Sequence, residues 1–222
     1  MKNLTYGGIM RPIDTIKPLC PGILKVLLYS VFTALIVLIF TAEAHYNFSV
    51  DLYSERSWTE MCQITLLFFS ALVLVITGIK DPESSSLTTL LAGMIFIAMI
   101  RECDAILDSY FFDGAWQTGA MLVASIVCVL VCRKKDSLMP SIVAFMKRPS
   151  FGFFVCSFIT VFVFSRLFGR NVLWHDIMGD AQFIRAVKNA AEEGSELFGY
   201  GMMFLACIEL YIESVKGKIG RS

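Results

Sequence analysis

Charge is what this sequence has least of: Asp, Glu, Lys and Arg together make up 17% of 222 residues, and the formal net charge is zero. Histidine is scarcer still, with two residues. A neutral, charge-poor chain lacks the basic surface that nucleic acid requires, so no nucleic acid is expected as a partner. The seven cysteines include no pair at CxxC spacing, and no HExxH helix is present, which removes the usual redox and zinc frameworks. Alternation of apolar and polar residues over ~10 positions is also missing, so an outer-membrane barrel is not expected.

What fills the chain instead is apolar side chain, 56% of all residues, with a mean hydropathy of +0.68. These residues are grouped in runs of ~20, the length with which a helix rising 1.5 Å per residue crosses ~30 Å of hydrocarbon. The windows fall at about 23–43, 59–79, 87–108, 115–132, 150–168 and 192–213. Lys80-Asp81-Pro82-Glu83-Ser84-Ser85-Ser86 and Arg133-Lys134-Lys135-Asp136 are the clearest breaks between them. The pattern predicts an all-α, polytopic membrane protein: a single domain over residues 1–222, forming a six-transmembrane-helix bundle. No small-residue cleavage site follows the first apolar run, so no removable signal peptide is expected.

If both termini face the cytoplasm, the inner segments hold 13 of the 19 basic residues and only 6 of the 19 acidic ones. The Lys/Arg bias orients the bundle N-in and C-in, and the expected location is a bacterial cytoplasmic (inner) membrane. Asn47-Phe48-Ser49 has the form of a glycosylation acceptor on an outer loop, a tripeptide common by chance.

The outer ends of three spans carry charges where hydrocarbon should be. From Leu87 to Ile100 the third window offers too few apolar residues to cross alone, so its helix is expected to continue through Arg101-Glu102-Cys103-Asp104. On a continuous helix Arg101, Asp104 and Asp108 share a stripe, and Arg101 pairs locally with Asp104. The sixth window needs Glu192, Glu193 and Glu196 in its outer turns, and Gly199 and Gly201 just below admit a close neighbour. The second opens with Glu60, and Gln63 lies one turn deeper. Ionisable groups at this depth are costly, face the bundle interior and mark a functional place.

The connection between the fifth and sixth windows contains Trp174-His175-Asp176 among apolar residues and reads as an interfacial helix capping the site. His175 is a candidate base or metal ligand. Each feature also has a plainer reading. The Arg101 group serves equally as an ion-pair clamp that fixes helix register, the glutamates complement a helix dipole, and Trp58, Trp116 and Trp174 form an aromatic belt. Arg166 either reaches lipid phosphates or pairs with the acidic cluster. Cys62 and Cys103 fall near the same depth, where a disulfide is conceivable.

Two functions compete for the cluster. In an enzyme acting on a lipid or lipid-linked substrate, Glu102, Asp104, Glu192, Glu193, Glu196 and His175 would be catalytic, and Arg101, Glu60, Gln63 and Asp108 would bind substrate. Such carboxylates share protons or hold a hard divalent cation, with Glu102, Glu193 and Glu196 as candidate metal ligands. In a transporter they relay ions, with Glu209 and Glu213 continuing the path inward. A third reading makes the cluster an interhelical clamp in an assembly subunit. Membrane lipids are the expected partners in each case.

An acidic start to an early span (Glu60), an acidic patch in a middle span (Arg101-Glu102-Cys103-Asp104) and an EExxE entry to the last (Glu192-Glu193-Gly194-Ser195-Glu196) together resemble bacterial multi-pass inner-membrane proteins with acidic intramembrane motifs and no assigned reaction. The middle motif departs from their Glu-Glu-x-Ser-Trp form. The resemblance implies architecture, not chemistry. Rhomboid-type Gly-x-Ser-Gly, paired-cysteine quinone oxidoreductase spacing and the histidine triad of alkaline ceramidases do not occur.

Overall fold

A computed structural model of the chain describes residues 19–46, Tyr53 and residues 57–219, without the side chains of 19–21, 181 and 217–219. Lys2, Arg11, Lys17, Arg56, Arg221, the Asn47-Phe48-Ser49 tripeptide and the side chains of Cys20 and Lys218 lie outside what it describes. The helices are α1 (Leu19–Tyr46), α2 (Trp58–Lys80), α3 (Ser85–Glu102), α4 (Asp104–Tyr110), α5 (Ala115–Cys132), α6 (Lys135–Met146), α7 (Pro149–Ile159), α8 (Ser165–Phe168), α9 (Asn171–Met178) and α10 (Arg185–Ile219). A π-helical turn, Thr160–Phe164, joins α7 to α8, and no strand occurs among the described residues. Among the described residues six stretches are long and apolar enough to cross a bilayer: Gly22–Tyr46, Trp58–Lys80, Pro82–Glu102, Ala115–Cys132, Pro149–Phe168 and Arg185–Lys216. The chain is an integral membrane protein built as an all-α six-helix bundle.

Helix α2 packs on both α3 and α10, α5 packs on the far side of α3, and α7 on the far side of α10. More than half of the apolar window of α10 is buried and none of that of α5, so α10, α3 and α2 form the centre while α1 and α5 face lipid. Leu67, Leu74, Ile95, Leu197, Tyr200, Ala206 and Leu210 make the core. One end of the bundle is basic and tied by polar contacts. Lys25 Nζ meets Glu209 Oε1 at 2.6 Å, Lys80 Nζ donates to Tyr211 Oη at 2.7 Å, and Arg148 Nη1 donates to Ser214 Oγ at 3.0 Å. Glu213 accepts from the Ser150 backbone N–H (3.1 Å) and hydroxyl (2.7 Å), capping the start of α7.

Three elements differ from the sequence expectation. The third span ends at Glu102, because Cys103 leaves the helix at φ −97°, ψ 14°, and α4 starts afresh at Asp104. The continuous stripe Arg101, Asp104, Asp108 therefore does not form. Arg133–Arg148 is not a plain loop, since α6 runs through it. Its Ser141 hydroxyl bonds Glu83 O at 2.7 Å and its Phe145 enters the core, while at 12 residues it is too short to cross. The last helix begins at Arg185, a full two turns before the predicted 192. The thiols of Cys62 and Cys103 are both free.

The two glycines flagged on the last span admit helices. A Cβ on Gly199 would meet Val161 Cγ2 at 2.4 Å with Thr160 close behind, and one on Gly201 would meet Ile36 Cδ1 at 2.5 Å. Val161 is β-branched and fixed in the π turn, whereas Ile36 Cδ1 is the far end of a flexible side chain on peripheral α1. Gly199→Ala is therefore expected to destabilise by ~1–3 kcal/mol. Gly201→Ala should be near neutral, because the ~1 kcal/mol helix-propensity gain offsets a small rearrangement. Thermal unfolding of the detergent-solubilised protein by circular dichroism compares the two; equal losses would contradict the assignment of rigid and yielding neighbours.

Candidate functional site

The carboxylates are delivered by ordinary local rules. Ser57 caps α2, its hydroxyl accepting from the Glu60 N–H at 3.1 Å, which sets Glu60 in the first turn as the Ser-Trp-Thr-Glu order favours. Glu43, buried on α1, accepts from the Thr59 N–H (2.8 Å) and hydroxyl (2.6 Å), locking the α2 start against α1. The break at Cys103 turns Asp104 away from the α3 axis, and Asp104 Oδ1 takes the N–H of Ala105 at 2.6 Å. On the other side the π turn, backed by Ser165 Oγ on Val161 O at 2.5 Å, widens the helix and brings Ser165 and Arg166 onto α10. Gly169 lets the backbone after α8 press on Glu192, whose Cδ would lie 2.6 Å from a Cβ there.

These elements enclose a cavity of about 320 Å³ at the acidic end, lined by Glu60, Glu102, Asp104, Glu192, Glu193, Glu196, Arg101, Arg166 and Trp116. Six carboxylates thus face two guanidinium groups. Arg101 pairs closely with Glu102 and stands 3.6 Å from Glu196 Oε2. Tyr200, fully buried, donates to Glu102 Oε1 at 2.6 Å and accepts from Arg101 Nη2 at 3.2 Å. Arg166 reaches Glu196 Oε1 at 2.6 Å and Glu192 Oε1 at 3.2 Å, and Lys188 also closes on Glu192. Glu193 stands apart: its carboxylate accepts from Gln63 Nε2 at 3.0 Å, and no cation pairs with it among the described residues. The other end of that amide, Gln63 Oε1, is buried and receives no hydrogen bond among the described residues.

Of the residues singled out from sequence, Glu60, Arg101, Glu102, Asp104, Glu192, Glu193 and Glu196 come together around the cavity, and Gln63 lies behind Glu193. Asp108 does not line it. Its Oδ1 accepts from the Ala115 N–H at 3.0 Å and so caps α5. His175 does not line it either, since its ring, near the end of α9, stacks on Phe183 at 3.9 Å and Nδ1 meets Oδ1 of the exposed Asp180 just after that helix at 2.9 Å. Arg101 pairs with Glu102 and Glu196 and not with Asp104, because the helix ends between them. Among the described residues no three His, Cys, Asp or Glu side chains form a metal-holding group. Arg101, Arg166 and Gln63 take the oxygens of Glu102, Glu196 and Glu193 instead. Burial, then the charges of Glu60, Glu102 and Asp104, push the Cys103 thiol up and so disfavour its thiolate.

No family model, curated protein or solved structure matches the chain.

Sequence reasoning missed Tyr200 and left Arg166 undecided. Tyr200 sits four residues after Glu196, one helical turn toward the core, so it shares the face of the glutamates; an aromatic within an apolar run gave no other signal. Trp116 was readable only as a belt residue, and the structure sets it against the cavity. Flanking the site, Tyr110 ends α4 and Phe111 and Phe112 follow it, and Val172, Ile177 and Ile184 belong to the α9 region. All six are exposed, as residues dipping into lipid would be.

Proposed function

We propose that this protein is a membrane-embedded enzyme acting on the polar head of a lipid or lipid-linked substrate at the non-cytoplasmic face. The observation that carries the reading is the unequal treatment of neighbouring carboxylates in one cavity. Glu196 is fixed by two guanidinium groups, whereas Glu193 faces the same space with an amide as its partner. Arg101 and Arg166 would hold an anionic head group, and Glu193 is the group placed to give or take a proton. Exposed apolar segments beside the mouth favour a substrate that arrives from within the bilayer.

Transport fits less well. Below Glu196 the central helix presents Leu197, Tyr200, Met203, Leu205, Ala206 and Cys207, each at most 4% exposed, before the next carboxylate at Glu209. Glu209 is held by Lys25 and Tyr29, and Glu213 caps α7, so neither extends a path inward.

The test is reconstitution of the purified protein into vesicles of the host membrane's own lipid extract, with mass spectrometry of the lipids over time. Turnover by the wild type and its loss in Glu102→Gln and Glu196→Gln variants is the expected result. Full turnover by both variants would end the assignment, and a carboxylate-dependent ion flux without lipid turnover would move it to transport.

A further inference from the structure

At the opposite, basic end of the bundle a second cavity of about 630 Å³ is open along the lipid-facing side, with α3 as its floor and α2 and α5 as its walls. Val75, Ala92, Phe96 and Val127 give it an apolar lining, and its end is marked by Ser85 and Lys134. From Ser85 to Phe96 the floor rises about 16 Å at 1.5 Å per residue. That is the depth of one leaflet in a hydrocarbon core ~30 Å thick. Lys134 Nζ donates to Ser85 Oγ at 2.8 Å and pairs with no carboxylate among the described residues. Its backbone is pinned, since Lys134 O accepts from the hydroxyls of Ser86 (3.2 Å) and Ser137 (3.0 Å).

We infer that this groove is a binding site for an anionic phospholipid of the leaflet at the basic end. Its hydrocarbon lies along α3, and its phosphate is held by the Lys134 ammonium and the Ser85 hydroxyl. A zwitterionic lipid fills the same apolar length but brings its own cation to the phosphate, so the ammonium confers preference for net negative charge. The site is separate from the acidic cavity, which lies at the other end of the same helices.

The experiment is native mass spectrometry of the full chain released from nanodiscs of phosphatidylglycerol and phosphatidylcholine with identical chains, mixed equally. Wild type should retain phosphatidylglycerol preferentially. Lys134→Ala, an exposed position that leaves the fold intact, should lower that preference about fivefold, the effect of one basic residue near a membrane surface. Lys135→Ala, which does not line the groove, should lower it less, and Ala92→Phe should reduce retention of both lipids. Equal retention of the two lipids by wild type would overturn the inference. So would equal effects of Lys134→Ala and Lys135→Ala, or a lipid-free dimer as the main species.

Discussion

Replacing Arg101 by methionine is expected to destabilise the folded protein by ~3–5 kcal/mol, the cost of removing one partner from a buried ionic group. The guanidinium serves Glu102, Glu196 and the Tyr200 hydroxyl at once. The side chains of Glu102 and Glu196 are only 10% and 3% exposed, so water cannot replace what is lost. Methionine fills the volume and leaves Glu102 with Tyr200 alone, while Glu196 keeps Arg166. Arg101→Lys should recover only part of the loss, since a single ammonium cannot span three acceptors in the way a planar fork does. Glu102→Gln on top of Arg101→Met should restore stability relative to the single variant, because it removes the stranded charge. Equilibrium unfolding in detergent measures all three. An Arg101→Met protein as stable as wild type would mean that the cluster is solvated and that the buried network has been misread.

How far the sequence could lead is set by which residues announce themselves through polarity against an apolar background. Six spans were legible because hydrocarbon thickness imposes a run length, and the glutamates of α10 were legible because nothing in lipid excuses them. The break at Cys103 was not, since it depends on whether a backbone turns one residue early, and Arg101-Glu102-Cys103-Asp104 has no proline or glycine to signal it. Helix α6 was hidden for the opposite reason: the basic residues at its start read as a loop, and only packing of Phe145 makes it an element. Residue type alone also misassigned roles. Asp108 and His175 have side chains suited to chemistry, but one caps a helix and the other, on α9, stacks on Phe183, and both are local contacts that composition does not reveal. Tyr200 shows the reverse, an apolar-looking position whose hydroxyl joins the ionic network.

At Glu193 stability and activity should separate. In the Glu193→Gln variant the new amide can offer its N–H to the buried, unmet Gln63 Oε1 while its carbonyl accepts from Gln63 Nε2, completing a reciprocal pair that the carboxylate leaves half made. Satisfying a buried acceptor contributes ~1 kcal/mol or more, so this variant should unfold no earlier than wild type. Turnover in the reconstituted lipid assay should nevertheless fall at least ~10²-fold, the contribution of a positioned proton-transfer group. Glu193→Leu provides the contrast, because it removes the side-chain acceptor at 3.0 Å, leaves Gln63 Nε2 only the backbone carbonyl of residue 193 at 3.2 Å and keeps Gln63 Oε1 unmet, so it should lose stability as well as turnover. The discriminating outcome is therefore a stable, inactive glutamine variant. If Glu193→Gln were stable and fully active, Glu193 would be a packing partner of α2, and the cavity would owe its carboxylates to helix registration alone.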